Sequence, residues 1–345
     1  MLYNMVMIKL TITENEEKQR LDRFLKKYLR NAPLSYIYKL IRKGVKVNGK
    51  RVPAETQLFL GDEVCVYISQ EEADSYRTRD RSKTAKRQFR IAYEDENILI
   101  AEKPFGLLTH GTAEEKKNTL SNQVIGYLVE TGAYNPRAER TFVPSPANRL
   151  DRNTTGMVVF GKNYAALKSL NHMIRERNYV RKYYLAIVSG ILDKNLRLSD
   201  KMVKKAGKNR VTVTDIDEGE GKLMETFARP LKSAGGYTLV EVELITGRTH
   251  QIRAQLAKAG FPIIGDEKYG DRLVNKKIKQ RFSLTTQFLH AYRLCFDNTV
   301  TPLDNMKGRE ILCPLPQNME KIKTALFGED SYEPETGQQI VQREV

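Results

Sequence analysis

The chain has 345 residues, 40% of them hydrophobic and 29% charged, which is typical of a folded protein with one large and one small domain. No apolar run reaches the roughly 18 to 20 residues that a membrane-spanning helix needs, and the first residues lack the pattern of a secretory signal. Three widely spaced cysteines and four scattered histidines match neither a disulfide framework nor a zinc site. We therefore expect a cytoplasmic protein without a membrane span or a bound metal.

The charge of the chain predicts a polyanionic partner. It has 58 lysines and arginines against 42 aspartates and glutamates, a net charge of +16, and nucleic acid is the first candidate. The excess is uneven, since residues 16–52 carry twelve basic side chains and three acidic ones, and residues 77–90 carry seven against one. A run of charge can also be an ordinary solvated face, so charge alone leaves both interpretations open.

Two short helices followed by a small sheet are predicted near the amino terminus. Apolar residues recur at helical spacing in two stretches separated by Pro33. The stretch GVKVNGKRV is typical of two strands joined by an Asn-Gly turn, and LFLGDEVCVYI alternates as a further strand. The apolar positions that define the helices are Leu21, Phe24, Leu25 and Leu29 in the first and Tyr36, Leu40 and Ile41 in the second.

This order of elements, from RLDRFL to the hairpin, resembles the S-four RNA-binding domain over about residues 16 to 70. In that family the helices and the start of the hairpin grip RNA. The basic side chains that the resemblance places against phosphates are Arg23, Lys26, Arg42, Lys43 and Lys50. A small helical domain with an incidental basic face is the alternative.

From residue 89 onward the pattern predicts a second domain built around a sheet. FRIAYEDENILIAEK is typical of two strands joined by a turn, and MVVFGKN, YVRKYYLAIVSG, LMETFARPL and YTLVEVELIT predict further strands. YAALKSLNHMIRER and the segment after ITGRTH predict helices. Strands outnumber helices and hairpin-like spacing dominates, so we expect an α+β fold on a mainly antiparallel or mixed sheet.

The common catalytic motifs are missing from this second domain. The chain has no H-E-x-x-H, C-x-x-C, G-x-x-x-x-G-K or G-x-S-x-G pattern and no dinucleotide fingerprint after a strand, so we expect no cofactor. What remains is the loop NRLDRNTTG, with Asp151 between Arg149 and Arg152. A carboxylate beside a guanidinium stays ionised and could attack a sugar or remove a proton from it, as carboxylates do at glycosidic bonds. A structural ion pair would give the same pattern, so the residues alone leave both roles open.

Four ordered segments resemble the motifs of the RluA-type pseudouridine synthases. They are AEKPFGLLTHG, NRLDRNTTGMVVFGKN, RKYYLAIVSG and ITGRTHQIRAQLAKAGFPIIGDEKYG, and the likeness spans about residues 89 to 316. With an S-four domain in front, the arrangement is similar to that of family members that modify large-subunit ribosomal RNA. The chain departs from the family at Asn148, where histidine is usual, and at Thr155, where serine is common. The histidine is not the family's catalytic group, so we expect activity with altered local hydrogen bonding or RNA contacts.

The resemblance implies catalytic roles for three residues. Asp151 would attack the target uridine at its anomeric carbon or take a proton from the neighbouring sugar carbon, and the uracil would detach, turn over and rejoin through its carbon 5. No cofactor is needed because atoms are only rearranged. Tyr184 would stack on the base and assist proton removal, with Tyr183 as the neighbouring control. Arg253 would pair with Asp151 and hold it charged.

The resemblance also implies substrate contacts around this site. Arg149 would help displace the nucleotide from its helix, because a stacked uridine cannot reach a buried acid and must be flipped out. Arg248 would lie nearer the RNA backbone, and Asn148 would contact the RNA that is read at the loop.

Together these resemblances predict a pseudouridine synthase that acts on structured RNA, with large-subunit ribosomal RNA as the expected substrate. A non-catalytic RNA-binding or ribosome-assembly factor that retains the fold and an RNA glycosidase that releases free uracil are the alternatives. We expect a monomer. Its predicted segments are an extension over 1–15, the S-four-like domain over 16–70, a basic linker over 71–88, the catalytic domain over 89–328 and a polar tail over 329–345.

Overall fold

The computed structural model describes residues 5–77, 86–136, 139–204, 211–217 and 221–329. The chain divides into two compact units. The first unit is Met1–Thr84, Ile125–Pro144 and Asn163–Ala165, and the second is Ala85–Val124, Ser145–Lys162 and Ala166–Val345. Within the described ranges, no helix is both long enough and apolar enough to cross a bilayer.

The amino-terminal part of the first unit packs helices on a small antiparallel sheet. Its elements are β1 (Met5–Thr11), α1 (Leu21–Tyr28), α2 (Leu34–Gly44), β2 (Val45–Val47), β3 (Glu63–Ser69) and α3 (Gln70–Arg77). The strand order is β1–β3–β2. Both predicted helices are confirmed, because their apolar stripes meet in one core around Phe24, Leu25 and Ile41.

Two features of this sheet differ from the sequence prediction. The pattern predicts an extension over residues 1–15, but β1 pairs along the full length of β3 and forms an edge of the sheet. The Asn-Gly turn is present, since Asn48 and Gly49 adopt φ values of +49° and +76°. The prediction of a returning strand after this turn is wrong. Lys50 makes an isolated bridge to Val47, and no strand follows before β3 among the described residues.

The predicted linker over 71–88 begins with helix α3 rather than with irregular chain. Ala73 is buried and Tyr76 packs against the core of the first unit. Two apolar contacts in a charged stretch are too few to show helical periodicity in the sequence. Residues 78–85 of this linker and residues 330–345 of the predicted tail lie outside the described residues.

The elements that follow residue 85 form a large sheet flanked by helices. The strands are β4 (Arg90–Glu94), β5 (Ile98–Lys103), β6 (Ser145–Pro146), β7 (Thr155–Gly161), β8 (Val180–Ser189), β9 (Leu196–Lys204), β10 (Val211–Thr214), β11 (Lys222–Ala234), β12 (Tyr237–Leu244), β13 (Leu289–Phe296) and β14 (Glu310–Leu312). The helices are α4 (Leu120–Glu130), α5 (Tyr164–Arg175), α6 (Gln251–Lys258), α7 (Arg272–Phe282), a 3-10 turn (Asp304–Met306) and α8 (Gln317–Phe327). The predicted strands and helices of this part are confirmed.

Among the described residues the main path of the sheet runs β10–β9–β11–β12–β8–β13–β7–β5–β4. All of its pairings are antiparallel except β13 with β7, which are parallel, so the expected mainly antiparallel, mixed sheet is observed. Its centre is apolar on both faces, as shown by β7, every residue of which is buried. The loop before β7 and the middle of β8 belong to strands that are separated only by β13, and α6 follows β12, which pairs with β8 on its other side.

The parallel contact between β7 and β13 explains the glycine in the TTG motif. Gly156 lies opposite Ala291 and adopts a φ of +110°. A Cβ atom at this position would lie 2.2 Å from the Ala291 carbonyl oxygen. Any other residue would therefore push β13 away from the loop that carries Asp151.

Candidate active site

The loop between β6 and β7 carries Asp151, and Asn148 ties the start of this loop to the sheet. The Asn148 side chain accepts a hydrogen bond from the Val159 amide at 2.8 Å and donates one to the Met157 carbonyl at 3.3 Å. The sequence predicts an RNA contact for Asn148, but its side-chain amide is engaged by the backbone of β7 on both sides. These two hydrogen bonds tie the start of the loop to β7, and a contact between Asn148 and RNA stays a prediction.

Leu150 and Arg152, which flank Asp151, are hydrogen-bonded by residues of β5 and of the turn after it. The ammonium of Lys103, which is 1% exposed, donates to the Arg152 carbonyl at 2.8 Å and to two carbonyls of its own turn. The Thr109 hydroxyl donates to the Leu150 carbonyl at 3.1 Å and accepts from the Leu150 amide at 3.2 Å. Burial lowers the pKa of Lys103 to about 7, against the attraction of the Asp151 carboxylate. The backbone around Asp151 is thus fixed before any substrate binds.

Arg253 in α6 joins Asp151 to a second carboxylate, Asp266. Its Nη1 donates to Asp151 Oδ2 at 3.0 Å, while its Nε and Nη2 donate to the two Asp266 oxygens at 2.6 and 2.8 Å. The side chains of Asp266, Arg253 and Asp151 are 0%, 7% and 20% exposed. Burial alone would raise the pKa of Asp266, but the guanidinium and the amides of Lys268 and Tyr269 outweigh burial and lower that pKa. Asp266 is therefore a buried anion that orients Arg253.

His250 also lies near the Asp151 carboxylate, and Tyr269 contacts His250. The Tyr269 oxygen accepts from the Val211 amide at 2.9 Å and lies 3.0 Å from His250 Nδ1, while His250 Nε2 lies 3.7 Å from Asp151 Oδ2. Because the phenol oxygen accepts from Val211, its proton can be donated to Nδ1, which leaves the hydrogen of a neutral imidazole on Nε2. Burial lowers the pKa of His250, against the effect of Asp151, so the neutral ring is favoured. This arrangement points an N–H group toward Asp151.

Tyr184 and Tyr183 follow each other on β8 and therefore face opposite sides of the sheet. Tyr184 is 5% exposed and lines a small recess with Asp151 and Arg248. Burial, and next the Asp151 charge, raise the pKa of Tyr184 well above its usual range. Tyr183 instead stacks under the Arg293 guanidinium at 4.1 Å and accepts from Arg181 at 2.6 Å. The sheet thus separates the predicted site tyrosine from its predicted control.

An open cavity of about 540 Å³ leads to this cluster. Its walls include Asp151, Arg253, Arg149, His250 and Lys268. Arg149 is exposed at the wall, and Arg248 is exposed next to the recess that Tyr184 lines. The volume of the cavity is in the range of small-molecule sites, and Asp151 shares its walls with cationic side chains and with two further carboxylates, Glu114 and Glu267.

The predicted RNA contacts of the amino-terminal part belong to the first unit. Arg23, Arg42, Lys43 and Lys50 are exposed. Lys26 differs from them, because it is half-buried and its ammonium donates to the Ala32 carbonyl at 2.9 Å. One donor of its ammonium group is therefore used within the first unit.

The sequence indicated no role for Lys103, Thr109, Asp266 or Tyr269, and it predicted His250 as a hydrogen-bonding loop residue near the start of the helix. All five lie in or beside segments that match family motifs, so the signal was present, but a motif match does not show which side chains touch Asp151. A buried acid behind an arginine could be suspected from GDEKYG. Its partner is thirteen residues away in sequence, and this pairing is visible only in three dimensions.

The sequence of the chain is similar to those of known pseudouridine synthases. A sequence profile described as RNA pseudouridylate synthase matches residues 97–258. The chain is 35% identical over 321 residues to the ribosomal large subunit pseudouridine synthase C of Vibrio cholerae serotype O1, covering 91% of this chain and 95% of the relative. It is 34% identical over 299 residues to the protein of the same name from Escherichia coli K12, covering 84% and 88% of the two chains.

Two solved human structures share the fold. RNA Pseudouridylate Synthase Domain Containing 1 and Domain Containing 4 superpose with a TM-score of 0.51 each, over 66% of this chain, at 21% and 22% identity. The superposed residues make up 84% and 89% of the two human chains. The extent and identity of the bacterial relatives, the matched profile and the shared fold lead to one conclusion: this chain belongs to the RNA pseudouridylate synthase family.

Proposed function

We propose that this RNA pseudouridine synthase converts uridines of large-subunit ribosomal RNA to pseudouridine, with Asp151 as the reacting group. The observation that carries the proposal is the Asp151 carboxylate, held by Arg253 at 3.0 Å in a cavity and beside a buried tyrosine. The substrate follows from the names of relatives that match this chain over nearly its full length.

The two carboxylate oxygens of Asp151 have different surroundings. Oδ2 accepts from Arg253 and lies near His250, whereas no side chain among the described residues hydrogen-bonds to Oδ1. We assign Oδ1 as the oxygen that meets the ribose, either at the anomeric carbon or at the hydrogen of the neighbouring carbon. The bond from the sugar to N1 of uracil breaks, a bond to carbon 5 forms, and the carbon 5 proton is lost while N1 gains one.

Tyr184 would stack on the base and take part in moving the carbon 5 proton. Its raised pKa means that the phenol is protonated at neutral pH. It can accept the carbon 5 proton only as it passes its own proton to another base, so the two transfers would have to be concerted, with the Asp151 carboxylate, which lines the same recess, as the acceptor. Arg149, exposed at the cavity wall, would displace the target nucleotide from its helix.

The first unit would bind RNA as an S-four-like domain. Its two helices and small sheet expose Arg23, Arg42, Lys43 and Lys50, as phosphate contacts require. We propose Arg248 as a further backbone contact near the site, and a cytoplasmic monomer as the working form.

The experiment is pseudouridine mapping in the host strain. Carbodiimide forms adducts with pseudouridine that persist and stop reverse transcriptase, so we expect stops in large-subunit ribosomal RNA that vanish when the gene is deleted. Wild-type protein should restore them, and Asp151→Asn should not. Asp193→Asn is the matched control because Asp193 is an exposed acid outside the cavity.

Two other outcomes would contradict the proposal. Full restoration of the stops by Asp151→Asn would remove Asp151 from the chemistry, and a map unchanged by deletion would favour a non-catalytic RNA-binding or assembly factor. Chromatography of reactions with purified protein separates the third possibility, since an RNA glycosidase would release free uracil and leave no pseudouridine in the RNA.

A further inference from the structure

Helix α7 follows the GDEKYG segment and presents an unusual concentration of positive charge. Its sequence RLVNKKIKQRF contains five basic residues and no acidic one, all of them exposed. The basic residues are Arg272, Lys276, Lys277, Lys279 and Arg281. Its opposite face carries Ile278, which is buried, and Asn275, which is half-buried. The helix therefore has one face in the fold and one mainly cationic face in solvent, on which Leu273 and Gln280 lie among the basic residues.

The cationic face is unfavourable for the isolated protein. Arg272 and Lys276, and likewise Lys277 and Arg281, are four residues apart, while Lys276 and Lys279 are three apart, and like charges at these spacings destabilise a helix. None of the five forms an ion pair within the part of the chain that the structure describes. An anionic partner would remove this repulsion.

One residue connects α7 to the active site. The Asn275 side chain accepts from the Gly265 amide at 2.7 Å and donates to the Asp266 carbonyl at 2.9 Å. Asp266 in turn holds Arg253, and Lys268 of the same segment lines the cavity. The cationic face is thus rigidly attached to the segment that builds the cavity wall.

We propose that the outward face of α7 binds the phosphate backbone of the substrate RNA beside the flipped nucleotide. The occupant is RNA because the face offers several unpaired cations in a row and almost no apolar surface apart from Leu273. The inference rests on the proposed function, since it assigns a further contact to the same RNA. It predicts that α7 contributes to binding and leaves the chemical step alone.

The test compares two triple variants of the full-length protein with equal loss of charge. Lys276→Gln/Lys277→Gln/Lys279→Gln removes the centre of the α7 face. The matched control, Lys168→Gln/Lys232→Gln/Lys307→Gln, removes three exposed lysines outside α7 and outside the cavity. The RNA is a transcript of large-subunit ribosomal RNA, and filter binding and single-turnover kinetics are measured between about 50 and 200 mM salt.

We expect the α7 variant to bind about tenfold or more weakly, with a single-turnover rate at saturating protein within about twofold of wild type. If three phosphate contacts are lost, the slope of log Kd against log salt should become shallower by about 2 to 3, whereas the control slope should hardly change. Equal behaviour of the two variants would overturn the inference, and so would a loss of rate at saturation with unchanged binding. Inactive wild-type protein would instead refute the proposed function, while the binding measurements would still decide whether α7 contacts RNA.

Discussion

The buried carboxylate of Asp266 should be as important for this enzyme as the half-buried carboxylate of Asp151, the proposed reacting group. Its oxygens accept from Arg253 Nε and Nη2 and from the amides of Lys268 and Tyr269. Asp266→Asn keeps the volume of the side chain but replaces one acceptor with an NH₂ group. With the amide oxygen kept in the place of Oδ1, the new NH₂ would face the Arg253 Nε–H, so two donors would oppose each other.

The expected loss of stability is large because neither partner can reach water. One charge-assisted hydrogen bond is lost, worth about 1.5 to 3 kcal/mol. The guanidinium also loses its main counter-charge at a site where its side chain is 7% exposed. Breaking a buried ion pair on one side generally costs about 3 to 5 kcal/mol, and we expect Asp266→Asn to lower the free energy of unfolding by an amount in that range. Urea unfolding at pH 7 measures it.

Activity should fall together with stability but for a different reason. Once Arg253 can move, Asp151 loses its fixed donor, and a displacement of about 1 Å at a reacting group can reduce the rate by roughly a hundredfold. The double variant Arg253→Met/Asp266→Asn separates the two effects. It should recover a large part of the stability, because the unpaired buried cation is gone, and should stay inactive in tritium release from RNA labelled at carbon 5 of uridine.

The pH dependence follows from the lowered pKa of Asp266. A carboxyl whose pKa is lower in the folded than in the unfolded chain stabilises the protein fully above its unfolded value, about 3.9, and this contribution is lost as the pH falls through the folded value. The gap in stability between wild type and Asp266→Asn should thus be complete above about pH 5 and shrink below about pH 4. A gap under about 1 kcal/mol at pH 7, with wild-type turnover in the variant, would refute the reasoning.

Three further predictions concern residues around Asp151. Tyr184→Phe should reduce single-turnover rates by about a hundredfold or more if the hydroxyl moves a proton, whereas Tyr183→Phe should stay within about twofold, and equal rates for both variants would remove Tyr184 from the chemistry. Tyr269→Phe deletes the donor that sets the His250 tautomer, so turnover should fall by roughly 2- to 10-fold, the equivalent of one hydrogen bond, with RNA binding retained. His250→Gln, which keeps a donor, should retain more activity than His250→Ala, and a reversed order would contradict the proposed contact.

Much of the fold could be predicted from the sequence because the relevant signals are local. The stripe of Leu21, Phe24 and Leu25 defines a helix by its spacing, and the apolar run of β7 defines a buried strand. The prediction failed where long-range contacts decide. β1 exists because Met5–Thr11 pairs with a strand more than fifty residues later, and α3 exists because Ala73 reaches the core.

The same division applies to the site. The motifs pointed to Asp151, Tyr184 and Arg253, and the structure brings the three together around one recess. What the motifs could not give was the role of Asn148, because the hydrogen bonds of its amide depend on the position of β7. Of the two expectations for this replaced motif residue, the structure shows local hydrogen bonding to β7, and the RNA contact stays a prediction.

The structure also addresses why a strongly basic chain keeps an acid between two arginines. If Arg253 had Asp151 as its only partner, the pair would be neutral and the carboxylate would be mainly a counter-ion. Asp266 instead takes two of the guanidinium donors and is fully buried, while Asp151 receives one donor through one oxygen. The cluster of two carboxylates and one guanidinium keeps a net charge of −1, and the more exposed carboxylate is the one that faces the cavity. This unequal sharing orients Asp151 without neutralising it. A carboxylate that stabilises positive charge at an anomeric carbon, or accepts a proton from a sugar, needs both properties.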